Sequence, residues 1–274
     1  PCSLTVGLLT RTVSWWLPLS AQAHRVGRRP DATRCAGDDP GVACDAAVSN
    51  DIFYTDHHPY ALDRIEAIGP TGEPVPLQNP STGKYRSVFD LHLESEGTYR
   101  VQSASGGLSA RWEEDGEPRG WPRRGGQYSA EGFAENVPNS AENLEVRQFS
   151  RRVETFVTAG APTREVLKPS GKGLELVPTT HPNDLYAGET AEFQLLIDGL
   201  PAAGAEVEVI PAGMRYRNTQ DEITLKSDDQ GQIRITWPAA GRYWVGAEYS
   251  DDQAKAPATI RAGSYVAVFE VLPQ

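Results

Sequence analysis

Apolar and polar residues alternate over short segments along most of the chain, and this pattern predicts β-strands. Residues 205–210 alternate at a period of two, and within residues 85–93 the side chains of Val88 and Phe89 point to opposite faces. Similar segments recur at residues 173–178, 191–197, 231–237, 242–247 and 266–271. A spacing of about 8–12 residues between such segments predicts an all-β fold of the β-sandwich type, immunoglobulin-like or prealbumin-like.

An internal echo indicates two related sandwich domains. The pattern Gly-x-Tyr-x-Val begins at Gly97 and again at Gly241, each time at the start of the last strand of a predicted hairpin. We therefore predict an N-terminal sandwich over residues 24–160 and a C-terminal sandwich over residues 161–274. Residues 159–162, with the sequence Ala-Gly-Ala-Pro, form the candidate linker between them.

Three segments of the N-terminal half have other patterns. Residues 103–145 contain many Gly and Pro residues and predict a long loop, a kind of segment that is usually functional or flexible. Residues 51–54 predict a short strand, and residues 146–157 predict a longer one.

The charge and the apolar runs of the chain exclude some classes of function and predict export. The chain of 274 residues has a formal net charge of −11 at pH 7, and no basic stripe offsets it, so we do not expect nucleic-acid binding. No apolar run reaches the roughly 20 residues that a membrane-spanning helix needs. Ala21 and Ala23 form the small-x-small pattern of signal-peptidase cleavage, which predicts a signal peptide at residues 1–23 and export to the periplasm.

Export would place the cysteines in an oxidising compartment. Cleavage after Ala23 would remove Cys2 and leave Cys35 and Cys44. These two could form a disulfide, or they could be two incidental thiols in a loop. Their spacing matches no common zinc motif.

Histidines are the main candidates for chemistry, because the chain has only five. Asp56, His57 and His58 stand together before Pro59, and in a turn the two imidazoles and the carboxylate could bind one ion. Such a set of ligands suits Ni, Co, Cu or Zn. His24 would be the first residue of the cleaved chain, where its α-amine and Nδ1 could chelate an ion together. The alternatives are a solvated surface turn and an ordinary frayed terminus.

Other residues are candidates for metal or partner binding. His181, with Asp184 three residues further on, could bind a metal ion or could belong to a capped turn. Trp112 and Trp121 lie in the predicted loop and could bind a partner protein or a glycan. The chain has no nucleophile elbow and no phosphate-binding glycine loop, so we expect no enzyme and predict no catalytic residue.

Four stretches of sequence resemble a known family. They are residues 45–58, which end in Asp-His-His, and residues 83–100, 155–162 and 173–185. Together they resemble a domain-of-unknown-function family described as the periplasmic component of cobalt or nickel transport, over about residues 45–250. The resemblance implies a secreted β-sandwich protein associated with metal uptake or with TonB-dependent uptake. The chain departs from the family pattern at residues 27–44, where arginines stand in place of the apolar residues of a first strand.

The sequence thus predicts a periplasmic accessory protein of metal-ion uptake that binds or passes on a divalent cation or a metal chelate. The expected ligand is Ni, Co, Cu or Zn, or an iron chelate. The expected partner is a membrane transporter or a TonB-dependent receptor system. Two alternatives stay open, a non-catalytic module that binds a partner or a glycan, and a cofactor or redox partner in iron acquisition.

Overall fold

The computed structural model describes residues 25–37, 40–49, 51–122, 130–138 and 140–274. The predicted signal peptide and His24 therefore lie outside the described residues. The strands, in chain order, are β1 (Arg25–Pro30), β2 (Arg34–Cys35), β3 (Gly41–Ser49), β4 (His58–Pro59), β5 (Glu66–Ile68), β6 (Pro74–Val75), β7 (Gln78–Thr82), β8 (Ser87–His92), β9 (Gly97–Glu114), β10 (Glu117–Trp121), β11 (Glu142–Ala159), β12 (Leu174–Pro178), β13 (Thr190–Ile197), β14 (Leu200–Pro201), β15 (Glu206–Pro211), β16 (Ile223–Lys226), β17 (Gln232–Thr236), β18 (Gly241–Asp251) and β19 (Ile260–Val271).

Helical structure is confined to short pieces of the described chain. They are helix α1 (Ala130–Asn136) and 3₁₀ turns at Leu62–Arg64, Glu165–Leu167 and Met214–Tyr216. Among the described residues, no helix has the length and apolar composition that crossing a membrane would require. The protein is an all-β protein of the sandwich type, as the alternation of apolar and polar residues predicts.

The described strands form three sheets. Sheet A has the order β1-β3-β8-β7, and β4 also pairs with β3. Sheet B has the order β16-β15-β18-β19-β11-β9-β5-β6, with β10 beside β9 and β2 beside β11. Sheet C contains β12, β13 and β14, with β17 also paired to β13. Sheet B therefore contains strands from both halves of the chain.

The two halves join through a parallel pair of strands within sheet B. Strand β11 pairs with β19 from the Arg147–Ile260 pair to the Thr155–Val268 pair. The linker predicted at residues 159–162 begins at the end of β11, but β11 is already paired with the C-terminal half over half of its length. The halves thus share a sheet as well as a linker.

Sheets A and C pack on opposite faces of sheet B. Phe156 of β11 stacks with Phe269 at 6.5 Å between ring centroids and packs in the core beneath sheet C. Its neighbour Val157 packs with Phe89 of β8 in the core beneath sheet A. Successive side chains of a strand point to opposite faces, so residues 152–159 of β11 are all buried. In a strand that is covered on both faces, neither set of alternating side chains faces solvent, so apolar and polar residues need not alternate.

The Gly-x-Tyr echo has the same structural role in both halves. The Tyr99 hydroxyl donates to the Ser95 carbonyl at 2.8 Å and accepts the Ser95 N–H at 2.9 Å. The Tyr243 hydroxyl makes the matching pair of bonds with Ala239, at 2.8 Å and 3.2 Å. A tyrosine that bonds to backbone a few residues upstream is the tyrosine corner of immunoglobulin-like sandwiches. Both halves are therefore immunoglobulin-like.

The long loop predicted at residues 103–145 is wrong over most of its length. Strand β9 continues to Glu114, β10 returns from Glu117, and β11 begins at Glu142. Some glycines of the predicted loop belong to strand β9. A Cβ on Gly106 would lie 2.9 Å from the Phe149 carbonyl oxygen, so glycine at this position allows β9 to approach β11 closely. Asp115 and Gly116 both have positive φ, which makes the tight turn between β9 and β10.

Cys35 and Cys44 face the same core. Cys35 lies on β2 and is half-buried, Cys44 lies on β3 and is buried, and both pack in the cluster between sheets A and B. The structure describes both as thiols. Burial raises the pKa of the Cys35 thiol, and the nearby carboxylates of Asp31 and Glu270 raise it further. A disulfide between the two stays a prediction.

A cluster of buried charges lies where sheet C meets the shared sheet. The Arg152 guanidinium, on β11, donates to Glu154 Oε1 at 3.3 Å and lies 3.7 Å from Glu175 Oε2. It also donates to Ser170 Oγ at 2.8 Å and to the Lys172 carbonyl at 3.1 Å. Arg152, Glu154 and Glu175 are each at most 6% exposed. One arginine therefore ties the shared sheet to the segment that leads into sheet C.

We expect Arg152→Met to lower the free energy of unfolding by about 3–5 kcal/mol, because it removes the nearest guanidinium from two buried carboxylates and leaves Glu154 only the more distant Arg100, at 3.9 Å. Arg151→Met is the matched control, because Arg151 is exposed on the same strand, and it should change stability by no more than about 0.5 kcal/mol. Urea unfolding of both variants at neutral pH measures the difference. Equal stabilities would contradict the role given to Arg152.

Candidate functional site

The chain turns sharply between β3 and β4. We call residues 51–58 the histidine turn, and its last residue, His58, is also the first residue of β4. The Ser49 hydroxyl donates to the Tyr54 carbonyl, and the Tyr54 N–H donates to the Asp51 carbonyl at 3.4 Å. Phe53 has a φ of 65°, in the left-handed region that residues other than glycine rarely adopt. A strand cannot continue through such a residue, so the strand predicted at residues 51–54 is wrong.

The histidine turn is anchored on the C-terminal half of sheet B. Ile52 is 2% exposed and packs with Ile210 of β15, Trp244 of β18 and Val268 of β19. These contacts fix the turn on the face of sheet B that sheet A only partly covers. The turn thus has a defined position although Asp51 and residues 56–58 are exposed.

Two imidazoles lie next to each other at the end of this turn. His57 and His58 are both exposed, and their ring centroids are 4.8 Å apart. His58 Nδ1 lies 3.0 Å from the Pro59 carbonyl oxygen. A carbonyl oxygen can only accept, so this contact places a hydrogen on Nδ1 of His58. This is the arrangement in which metal-binding histidines are usually held.

The spacing of the two rings is compatible with one shared ion. With metal–nitrogen distances of about 2.1 Å, an ion lies roughly 3.2 Å from the centroid of each ring that binds it. Centroids 4.8 Å apart then subtend roughly a right angle at the ion, as neighbouring ligands do. Asp56, which precedes them, is also exposed and adds a carboxylate to the same turn.

The start of β1 flanks the same end of β3. Arg25, the first described residue, pairs with Ser49 on one side of β3. His58 pairs with Val48 on the other side. His24 lies outside the described residues, but it is the residue next to Arg25 in the chain. Two strand spacings of roughly 4.8 Å separate β1 from β4 across β3.

The described residues supply only part of a metal coordination shell. No group of three or more His, Cys, Asp or Glu side chains within them is arranged to hold a metal ion. Asp56, His57 and His58 therefore do not form such a group, and the histidine turn places two imidazoles side by side.

A second loop lies beside the histidine turn. Residues 212–217 follow β15 and contain the 3₁₀ turn Met214–Tyr216, and we call them the 3₁₀ loop. Met214 packs against the cluster that holds Ile52, and the Arg215 guanidinium lies 5.7 Å from the centroid of the Tyr54 ring. An arginine over a tyrosine ring is a cation–π contact. The two loops therefore form one surface.

The 3₁₀ loop is held in shape by Arg217. Its guanidinium donates to the carbonyls of Ala212, at 2.6 Å, and Pro211, at 2.8 Å, and it pairs with Asp221 at 2.8 Å. Tyr216, which precedes it, is 87% exposed. The bonds of Arg217 thus fix the loop that presents the exposed Tyr216 ring.

His181 has a structural role and lies apart from the histidine turn. Its Nδ1 accepts the Asn183 N–H at 3.2 Å, so Nε2 carries the hydrogen and donates to the Thr163 carbonyl at 3.2 Å. Thr98 Oγ1 lies 3.0 Å from Nε2 as well. Both ring nitrogens are thus used within the protein, whereas Asp184 is exposed. The structure matches the alternative of a capped turn better than a metal ligand.

Trp112 and Trp121 form part of a small core and not an open binding surface. Trp121 is 8% exposed, and its ring packs edge-on against Phe133 of α1 at 5.5 Å. Trp112 is half-buried and packs on the same cluster. The prediction of a partner site on these two residues assumed an irregular loop. The strands β9 and β10 bury them instead.

Arg215 and Tyr216 were not predicted from the sequence. They stand in the sequence Met-Arg-Tyr-Arg, which has neither the alternation of a strand nor a known binding motif. The only local signal is the polar character of residues 215–222 between two predicted strands. The proximity of these residues to Tyr54 depends on a contact between residues about 160 positions apart in the chain.

Comparisons with known proteins bear on family and fold. The family model of a domain of unknown function (DUF4198) matches residues 21–251. No curated protein matches this chain. Among solved structures, the D0-D1 domain of intimin is similar with 12% identity and a TM-score of 0.23, covering 90% of this chain and 99% of that one.

Two further solved structures are similar to the chain. Escherichia coli alpha-2-macroglobulin activated by porcine elastase has 11% identity and a TM-score of 0.23, with 91% of this chain and 20% of that chain covered. A segment of two fibronectin type-III domains from chicken tenascin has 8% identity and a TM-score of 0.23, with 89% and 98% covered. These values are too low to relate individual residues.

His181 should make stability depend on pH. Burial lowers the pKa of its imidazole, and it outweighs the bond to the Thr163 carbonyl, which raises that pKa. The charged groups nearby are Arg34 and Arg164, which lower it, and Asp184, which raises it. Since the unfolded chain then binds a proton at higher pH than the folded one, stability is complete above about pH 6.5 and falls as the pH drops below it.

The variant His181→Gln tests this dependence. We expect it to cost about 1–2 kcal/mol at neutral pH through lost hydrogen bonds and to show a smaller fall of stability on acidification than the unmodified protein. His92→Gln is the control, because His92 is a half-exposed histidine of β8. Urea unfolding at several pH values gives the result, and identical pH dependence in all three proteins would refute the assignment.

Proposed function

The chain belongs to the DUF4198 family of domains of unknown function, and we propose that it is an exported protein that binds a divalent transition-metal ion at the histidine turn and passes it on. The expected ions are Ni, Co, Cu and Zn, bound as cargo. One observation carries the proposal: the imidazoles of His57 and His58 are both exposed and their ring centroids lie 4.8 Å apart, beside the carboxylate of Asp56.

The ligand chemistry fits these ions. Neutral imidazoles with a neighbouring carboxylate favour borderline divalent ions over Mg²⁺ or Ca²⁺, which prefer oxygen ligands. His24 is the candidate for the next ligand, because Arg25 lies across β3 from the histidine turn. Cleavage before His24 would also supply a free α-amine at that position.

The exposure of the two imidazoles favours transfer of the metal ion to another molecule over its permanent storage. Structural metal sites are usually closed by four protein ligands. Here His57 and His58 are both exposed, so a ligand from another molecule has access to the ion. A weakly enclosed ion can be handed to a transporter or a receptor, which agrees with an accessory role in uptake in the periplasm.

Calorimetric titration of the protein that begins at His24 tests the proposal, with Ni²⁺, Co²⁺, Cu²⁺ and Zn²⁺ as the probes. We expect micromolar or tighter binding, of order −8 kcal/mol, for at least one ion. His57→Ala/His58→Ala should weaken this binding by at least about tenfold. His92→Ala is the matched control, since it removes a half-exposed imidazole from the same sheet, and it should bind as the unmodified protein does.

Two outcomes would contradict metal binding at this turn. One is the absence of binding for all four ions. The other is binding that the double variant retains, which would place the ion elsewhere. Repeating the titration with a protein that carries one additional residue before His24 separates the contribution of a free terminal amine from that of the two turn histidines.

A second candidate function is recognition of a partner protein, and one observation favours it. Tyr216 is 87% exposed on a loop that Arg217 keeps rigid. The partner would then bind at the 3₁₀ loop. The sequence predicts a partner site at Trp112 and Trp121 instead. The metal titration separates the two functions, because Tyr216→Ala leaves the imidazoles in place and should not change metal affinity.

A further inference from the structure

The outer face of sheet A, which points away from sheet B, carries a cleft of about 470 Å³. It lies where strands β3, β8 and β7 run side by side. Val42 of β3 and Leu91 of β8 are buried in the core beneath sheet A, so their neighbours in each strand point outward. These neighbours and the start of β7 line the cleft, which we call the outer cleft: Gly41, Ala43, Gln78, Asn79, Asp90 and His92.

An irregularity in β7 places two consecutive amides over the outer cleft. Gln78 pairs with Asp90, but the register then shifts, and Ser81 pairs with Val88, so β7 contains one extra residue. Asn79 has a φ of 47°, in the left-handed region. Its side chain reaches the face of Gln78, where its Nδ2 donates to Asp90 Oδ2 at 2.8 Å. Bulges of this kind re-aim side chains and are common beside functional sites.

The outer cleft has hydrogen-bonding groups that the described residues do not use. Asp90 is half-buried, and among the described residues its side chain bonds only to Asn79 and pairs with no cation. The amide of Gln78 has no hydrogen-bond partner within the same part of the chain. His92 adds an imidazole, whose Nδ1 lies 3.6 Å from Glu94 Oε1. A carboxylate accepts hydrogen bonds and an amide both accepts and donates them, so both kinds of group converge on one cleft.

This set of groups favours a neutral polyhydroxy molecule over an ion or an apolar ligand. No described Lys or Arg lines the outer cleft to hold an anion. Its one carboxylate supplies too few of the roughly 6–8 oxygen ligands that Ca²⁺ takes. The large apolar residues of the lining, Val42 and Leu91, are buried in the core. A sugar hydroxyl both donates and accepts, so neighbouring hydroxyls match the oxygens and nitrogens of a carboxylate and two amides.

Small residues leave room for a sugar ring beside these groups. Gly41 and Ala43 of β3 are exposed, and they pair with His92 and Asp90 of β8. They form a floor that no side chain longer than a methyl group interrupts. Adjacent strands lie roughly 4.8 Å apart, so the hydroxyls of a ring on this floor reach the carboxylate of Asp90.

We propose that the outer cleft binds a neutral sugar, whose ring lies on the floor of Gly41 and Ala43. Its hydroxyls bond to Gln78, Asn79 and Asp90. The site is separate from the histidine turn, because no residue of the turn lines the cleft, and it does not depend on metal binding. It also lies apart from the two tryptophans at which the sequence predicts a glycan site.

Titrations followed by saturation-transfer NMR test the proposal on the full chain, with cellotriose, maltotriose, mannotriose and triacetylchitotriose as the probes. We expect at least one of them to bind saturably with a Kd of about 1 mM or tighter. Gln78→Ala/Asp90→Ala should weaken this binding by at least about tenfold, because it removes hydrogen-bonding groups and leaves the floor intact. Asp63→Ala/Asn218→Ala is the matched control. It removes an exposed carboxylate and an exposed amide outside the cleft and should keep the full affinity.

A filled floor provides the second arm of the test. Ala43→Phe should abolish sugar binding, and an unchanged thermal melt would show that the variant is folded. No saturable binding of any of the four probes, unchanged affinity in Gln78→Ala/Asp90→Ala, or full binding by folded Ala43→Phe would each overturn the proposal. Neither EDTA nor His57→Ala/His58→Ala should change the affinity for the sugar, so this result stands apart from that of the metal titration.

Discussion

The parallel pairing of β11 with β19 is the constraint on which the rest of the structure depends. It runs from the Arg147–Ile260 pair to the Thr155–Val268 pair and joins strands from the two halves into sheet B. Parallel strands in the middle of a sheet are usually covered on both faces. Here sheet A covers one face and sheet C the other, so Phe156 and Val157, neighbours in the chain, belong to different hydrophobic cores.

Sheets A and C cover different parts of sheet B, so each face of sheet B is only partly covered. On the face of sheet A, the histidine turn extends past the sheet and closes over Trp244 and Val268. On the face of sheet C, the described residues place no comparable segment over Ala104 and Gly106, which line a cleft. The Arg152 cluster lies at the edge of that cleft, where water would otherwise reach the base of sheet C. Its buried charges are satisfied by one another and by the Ser170 hydroxyl and Lys172 carbonyl.

The sequence predicted the residues of the candidate site better than their surroundings. His57 and His58 were predicted from residue type alone, and the structure shows them adjacent and exposed. The first part of the turn, residues 51–54, was predicted as a strand, because nothing local signals the positive φ of Phe53. His181 has the same side chain, but a buried position and three nearby hydrogen-bonding groups give it a structural role. Trp121 was predicted to bind a partner from a long loop, because the pairing of β10 with β9 and the packing of α1 have no clear local pattern.

By itself the sequence determined the all-β class, most strand positions in the second half, and the two equivalent corners at Tyr99 and Tyr243. These features depend on side chains within a few residues of each other, since strand alternation and the bond from a tyrosine to backbone four residues upstream are local. Only the tertiary structure decided that the halves share a sheet, because the pairing of β11 with β19 joins residues more than 100 positions apart. Hydrogen bonds between such distant backbones carry no signature in side-chain pattern. The histidine turn and the cleft beside Ala104 and Gly106 owe their positions to that pairing, and so their surroundings could be read only from the folded chain.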